Sequence, residues 1–148
     1  MAEFLAGIDT IFYGRKSYEM MKQAAAAGAD WTEGTNPFEK MENCIVSSTL
    51  RSADPGYKIV ADLNAVRQMK KEPGKDMWLF GGASLTSSFM NEGLVDELWL
   101  SVHPILLGKG KQLFSDLPGR IPLELCWNRS RTSPGLLRSD TESVPADK

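Results

Sequence analysis

Histidine, cysteine and long apolar runs are scarce in this chain, and each shortage excludes something. His103 is the single histidine, set in an apolar run before Pro104. With only Cys44 and Cys126 to join it, the ligand supply argues against a zinc site. The same shortage argues against Ser/His and Cys/His nucleophile pairs, unless His103 is the base. Two cysteines and no CxxC make no disulfide framework, so a reducing cytoplasm is the expected compartment. No apolar run approaches the roughly 20 residues that cross a bilayer. Met1-Ala2-Glu3-Phe4-Leu5 lacks the basic start and long apolar stretch of a secretory signal. Charge of one sign is also lacking: the net charge is -2 over 148 residues, which argues against a nucleic-acid surface. What remains, 42% hydrophobic and 24% charged, describes one soluble domain with room for a real core.

The chain alternates short apolar runs with helical patterns. Ile8 to Tyr13 reads as a strand leading into Gly14, and a helix follows from about Lys16 to Ala27 with Tyr18, Met21 and Ala25 on one face. Asp30 to Glu39 reads as a loop, Asn43 to Ser47 as a second strand, and Tyr57 to Ala61 as a third. Asp62 is placed to cap a helix from Leu63 to Lys71, closed by Pro73-Gly74. Met77 to Phe80 is a buried strand that runs into Gly81-Gly82 and a helix from Ala83 to about Asn91. Val95 to Pro104 reads as the longest strand, with Leu98, Leu100 and Val102 on one face and Trp99 on the other. Ile121 to Trp127 reads as a further strand. The pattern predicts an α/β sandwich on a largely parallel sheet. From Asn128 the composition turns polar, so residues 1–127 are expected to form the domain. Residues 128–148 are expected to form a partly disordered tail.

Three turns at strand C-termini carry the chemistry. Gly81-Gly82 before Ala83-Ser84-Leu85 joins a strand to a helix start, where unpaired N–H groups face an anion and a side chain would block its approach. Gly14-Arg15-Lys16-Ser17 pairs a tight turn with a hydroxyl and two cations, suited to a terminal phosphate that Arg15 clamps in a fork. Ser47-Ser48-Thr49 offers hydroxyls to a phosphate or ribose. Each has a plainer reading as a helix start or a generic turn. Their shared location is the edge where ligands dock on open α/β sheets, which favours a nucleotide cofactor. No GxGxxG occurs, and Gly108-Lys109-Gly110-Lys111 lacks P-loop spacing and reads as structural.

Asp9-Thr10-Ile11-Phe12-Tyr13-Gly14-Arg15-Lys16-Ser17-Tyr18-Glu19 resembles the strand and helix start of dihydrofolate-reductase-like proteins. Val46-Ser47-Ser48-Thr49-Leu50 is similar to their second cofactor loop, and Leu79-Phe80-Gly81-Gly82-Ala83-Ser84-Leu85 to their diglycine turn. Leu94-Val95-Asp96-Glu97-Leu98, Pro104-Ile105-Leu106-Leu107-Gly108 and Leu113-Phe114 resemble one branch, the reductase domain of riboflavin biosynthesis and its stand-alone relatives. The resemblance spans roughly Phe4 to Leu125. It implies a three-layer α/β/α sandwich with a mixed, mostly parallel central sheet. It also implies NADPH as cofactor, a small-molecule substrate, and sheet-edge pairing into a homodimer. By the same resemblance Gly14, Arg15, Lys16 and Ser17 meet the NADPH phosphates, Ser47, Ser48 and Thr49 lie by the adenosine half, and Gly81, Gly82, Ala83, Ser84 and Leu85 support the pyrophosphate.

Family members usually open on a strand and loop reading roughly Ser-Leu-Asp-Gly-Tyr-Ile-Ala, ahead of the segment matching Phe4. Here Met1 stands almost at the helix that should follow, so an interior strand and one wall of the substrate pocket are expected to be missing. The residues that assist protonation are expected in that segment, which leaves the catalytic residues unassigned. A final alternating strand is also expected to be missing after Trp127. The function expected is hydride transfer from NADPH to a small heterocyclic or carbonyl acceptor. The alternative is a non-catalytic nucleotide-binding or assembly module.

Overall fold

A computed structural model describes residues 2–27, 38, 40–103 and 105–126. A short helix α1 (Ala2–Ala6) leads into β1 (Ile8–Gly14), followed by α2 (Arg15–Ala26), β2 (Glu42–Val46), β3 (Tyr57–Val60), α3 (Leu63–Met69), β4 (Asp76–Gly81) and α4 (Ala83–Asn91). The four strands form one sheet in the order β3-β2-β1-β4, with every pairing parallel.

β1 is an interior strand, and its sequence reflects burial on both faces: Ile11, Phe12 and Tyr13 are each at most 2% exposed. One face carries Ile8, Ile11 and Tyr13 under Phe4 of α1, Met21 of α2, Phe38 and Met41, with Tyr57 and Trp78 beside them. The other carries Phe12, Cys44 and Val60 under Val66 of α3 and Phe89 of α4, joined by Leu94. The layers are therefore helix, sheet, helix, the three-layer α/β sandwich that was expected, but the described sheet is wholly parallel where a mixed one was expected. Ile8 shares a face with Ile11 although the two are three positions apart. A register shift between Ile8 and Thr10 supplies the extra step that flips the alternation. The α3 cap forms as predicted, with Asp62 Oδ1 accepting from Ala65 N at 2.9 Å.

The sequence expectation differs from the structure past α4. The strands read at Val95 to Pro104 and Ile121 to Trp127 are absent: residues 95–103 and 121–126 carry no strand. Pro104 and Trp127 lie outside the described residues. Alternation of apolar residues makes a strand only where a neighbouring edge accepts its hydrogen bonds, and these segments pair with none among the described residues. Leu98 is half-buried, but Leu100 and Val102, read as its companions on one inward face, are exposed. Trp99 leans on Phe4, with ring centroids 5.0 Å apart, and its Nε1 donates to Glu97 Oε2. Gly108 to Lys111 is an open bend in which a Cβ at Gly108 or Gly110 would meet nothing within 4 Å. The loop read at Asp30 to Glu39, apart from Phe38, and the tail from Asn128 lie outside the described residues.

Candidate nucleotide site

Strand order decides where a ligand can sit. From β1 the chain builds outward to β2 and β3, with α2 covering one face. It then returns through α3 on the opposite face to lay β4 along the other side of β1. Right-handed crossovers running in opposite directions put their helices on opposite faces. The β1/β4 boundary is thus a topological switch point, and its C-terminal edge is where ligands dock on open α/β sheets.

Two of the three predicted turns flank that boundary. Tyr13 lies opposite Gly81, so β1 and β4 end side by side and release α2 and α4 from adjacent points. A Cβ built on Gly14 would stand 3.6 Å from Leu85 Cβ and 3.7 Å from the Gly81 carbonyl oxygen. One built on Gly82 would stand 3.3 Å from Ser17 Oγ. The two turns thus lie side by side, with room for a Cβ at Gly14 in ordinary contact and a tighter fit at Gly82. Gly81 has φ 121, a conformation that glycine adopts without strain, and the Gly81–Gly82 peptide is cis. A second register shift falls between Phe12 and Tyr13, and it leaves Phe80 as the extra residue of β4 just before the diglycine.

Neither α2 nor α4 has a side-chain cap or an acidic residue in its first turn. In α3 the Asp62 carboxylate fills that role. The first N–H groups of α2 (Arg15, Lys16, Ser17) and of α4 (Ala83, Ser84, Leu85) therefore have no intrahelical acceptor, and two positive helix ends converge. Lys16 and Ser84 are exposed, and Leu85 packs down onto the Phe12 cluster.

The third turn reaches the first through one side chain. Arg15 Nη1 donates to Thr49 Oγ1 at 3.1 Å, while its Nε donates to Glu19 Oε1 at 2.7 Å. Ser47 Oγ accepts from Thr49 N at 3.3 Å and Leu50 N at 3.1 Å, which shapes the turn, and Ser48 is exposed at its tip. All twelve residues singled out in the sequence thus lie in one contiguous region.

Four contributors were not singled out as site residues. Glu19 orients the Arg15 guanidinium, and its i, i+4 spacing from Arg15 was a readable signal. Tyr18 and Asp54 form a second tie: Tyr18 OH donates to Asp54 Oδ2 at 2.7 Å and accepts from Asp54 N at 3.0 Å. Lys22 Nζ adds a bond to Asp54 Oδ1 at 2.7 Å. The Lys22 ammonium and then the Tyr18 hydroxyl hold the Asp54 carboxyl below its ordinary range, while burial raises Tyr18. No local pattern announces a contact between residues 36 apart in the chain.

Two cavities among the described residues, of about 290 and 370 Å³, open at the other end of the strands. The first is lined by Asp9, Glu42 and Glu72, a lining that repels anions. Asp9 there accepts from Thr10 Oγ1 and Lys75 N, bonds that pin the turn before β4. Among the described residues no cluster of His, Cys, Asp and Glu could hold a metal, and no helix is long and apolar enough to cross a membrane.

A 41% identical relative, the uncharacterized protein YyaP of Bacillus subtilis strain 168, aligns over 136 residues, 88% of this chain and 72% of the relative. The uncharacterized protein YwjB of the same organism is 27% identical over 124 residues, 84% of this chain and 68% of its own length. The family model of the RibD C-terminal domain matches residues 2–133, nearly the whole described sandwich and all three turns, and so the chain belongs to the RibD C-terminal domain family.

Proposed function

We propose that the protein is an NADPH-dependent reductase that acts on a small heterocyclic or carbonyl acceptor, with the three turns holding the cofactor. The support is the meeting of two uncapped helix starts over the β1/β4 boundary. A pyrophosphate fits that donor set: N–H groups of two helices, the hydroxyls of Ser17, Ser47, Ser48 and Thr49, and the cations of Arg15 and Lys16. A side chain at Gly82 would enter the same gap, 3.3 Å from Ser17 Oγ. The two cations support a phosphorylated ribose, hence NADPH over NADH. When bound, NADPH supplies the hydride. The chain's own part is to orient the cofactor and exclude water, which needs few catalytic side chains. Family membership supports a phosphoribosylamino-pyrimidine, of the kind of 5-amino-6-(5-phosphoribosylamino)uracil, among the acceptors. Two further parts of the proposal are a homodimer and a cytoplasmic setting, the latter resting on two free cysteines, Cys44 buried and Cys126 exposed.

One observation favours a second reading, a nucleotide-binding module without turnover. Both described cavities lie at the far end of the strands, so neither provides an acceptor pocket beside the turns. Calorimetric NADPH titration, run beside NADPH oxidation with a panel of pterin, pyrimidine and carbonyl acceptors, decides between them. Binding with turnover supports the reductase. Binding without turnover on any acceptor supports the module. Absence of binding removes both.

A further inference from the structure

The connection between β2 and β3, residues 47–56, has an unusual task. It joins two adjacent parallel strands, so it must travel the full length of the sheet, a path usually taken by a helix. Here it contains no helix or strand, so no hydrogen-bonded ladder of its own fixes its course. Its restraint comes largely from one face of α2. Arg15, Tyr18 and Lys22 stand at i, i+3 and i+7, a single stripe of that helix. Arg15 holds Thr49 near the start of the connection. Tyr18 and Lys22 hold Asp54 near its end through three hydrogen bonds of 2.7–3.0 Å. Tyr18 is 5% exposed and packs edge-on against Tyr57 at 5.0 Å, so the anchor at Asp54 is itself fixed by the core. Ser47 is tied at the near end by its N–H to the Val60 carbonyl oxygen.

We propose that Tyr18 and Asp54 are positioning residues for the nucleotide site: with Lys22 they strap the 47–54 segment to α2 and so set Ser47, Ser48 and Thr49 against Arg15. This rests on the cofactor reading above. Neither residue touches the ligand. They act by keeping the hydroxyl turn and the Arg15 fork in one arrangement, so the ordering cost is met during folding and not on binding. The strap holds one side of the site only. The turns at Gly14 and Gly81–Gly82 are set by the β1/β4 pairing and do not depend on it.

The test compares wild type with Tyr18→Phe, Asp54→Asn and the exposed variant Lys22→Met, which leaves the core untouched. Thermal melting verifies that each is folded. Calorimetry then measures adenosine 2′,5′-bisphosphate and reduced nicotinamide mononucleotide separately. Amide hydrogen exchange follows residues 48–54 without ligand. The expected result is selective: Tyr18→Phe and Asp54→Asn weaken the adenosine bisphosphate by about tenfold, the scale of one hydrogen bond to a charged group. Lys22→Met weakens it less, and the nicotinamide half stays within about twofold in all three. Exchange at 48–54 quickens in the same order. The double variant Tyr18→Phe/Asp54→Asn is no worse than the worse single variant, because both act on one tie: the first removes its hydroxyl and the second its charge. Folded variants that lose both halves equally, or lose neither, overturn the strap while the cofactor reading stands. Unchanged exchange at 48–54 in those variants also overturns the strap. Wild-type protein that binds neither half overturns the cofactor reading, and the positioning role with it.

Discussion

On the proposed reading, Arg15 is the residue on which cofactor choice turns. Its guanidinium is shared between Glu19 and Thr49, so it is already oriented where a ribose phosphate would arrive. Half-exposed as it is, the ion pair with Glu19 adds little to stability, and its value lies in geometry. Replacing Arg15 by Ala is expected to weaken NADPH by roughly ten- to a hundredfold, the worth of a charge-assisted bond of about 1.5–3 kcal/mol. NADH should lose far less, and Arg15→Lys should recover only part of the difference, since it keeps the charge but not the fork. Calorimetric titration of both cofactors checks this, and equal losses for the two would remove the ribose phosphate from this turn. Gly82 tests the other turn. A valine there places its Cβ 3.3 Å from Ser17 Oγ, with two methyl groups beyond it in the gap between the helix starts. Gly82→Val is expected to abolish NADPH binding in a protein that still melts cooperatively. Retained affinity in such a protein would return the diglycine to a purely structural role.

At the scale of elements, the helix starts divide into two kinds. Asp62 caps α3, whereas α2 and α4 begin at glycines without a side-chain acceptor. Asp62→Ala is expected to lower unfolding free energy by about 1 kcal/mol, read by denaturant unfolding, with NADPH affinity unchanged. A loss of affinity would mean that the start of α3, which follows β3 directly, also shapes the site. The four helices and four strands divide just as unevenly in what the sequence disclosed. β1, β2, β3, β4 and the three longer helices were readable to within a residue or two, because apolar period, glycine and capping signals are local. The turns at Gly14–Ser17 and Gly81–Leu85 were placed in the sequence for the same reason. That β1 and β4 are neighbours was not, since strand order depends on contacts between residues as distant as Tyr13 and Gly81. The period-two pattern at Leu98, Leu100 and Val102 misled because alternation reports only a preference, and these residues hydrogen-bond to no strand among those described. The Tyr18–Asp54 tie left no trace in either period.

For the molecule as a whole, two surfaces govern behaviour in solution. The first is inside. Burial, reinforced by Glu42, pushes the Cys44 thiol from 9.0 to about 11, and burial also raises Tyr13 and Tyr57. Each group is held in its neutral form by the fold, so it contributes stability in full below its ordinary value and loses it as pH rises toward the folded value. Stability is therefore expected to fall above about pH 9, in chemical unfolding followed at stepped pH; a flat profile from pH 8 to 11 would contradict it. The second surface is outside. Trp99, Leu100, Val102, Ile105, Leu106 and Leu107 are exposed in one stretch, with Leu113, Leu123 and Leu125 following; Val102 is 86% exposed and Leu106 fully so. The β4 edge opposite β1 is also unpaired among the described residues. Monomeric proteins rarely leave apolar surface of that extent uncovered, and an open strand edge invites a partner. The expectation is self-association between copies through residues 98–107, with sedimentation giving a dimer at micromolar concentration. Leu106→Asp puts a charge at a position with no core contact, so it should shift the protein to monomer without lowering its melting temperature. Wild-type protein that sediments as a monomer at high micromolar concentration would remove the homodimer. A Leu106→Asp protein that still dimerises would move the interface away from this stretch, toward the β4 edge itself.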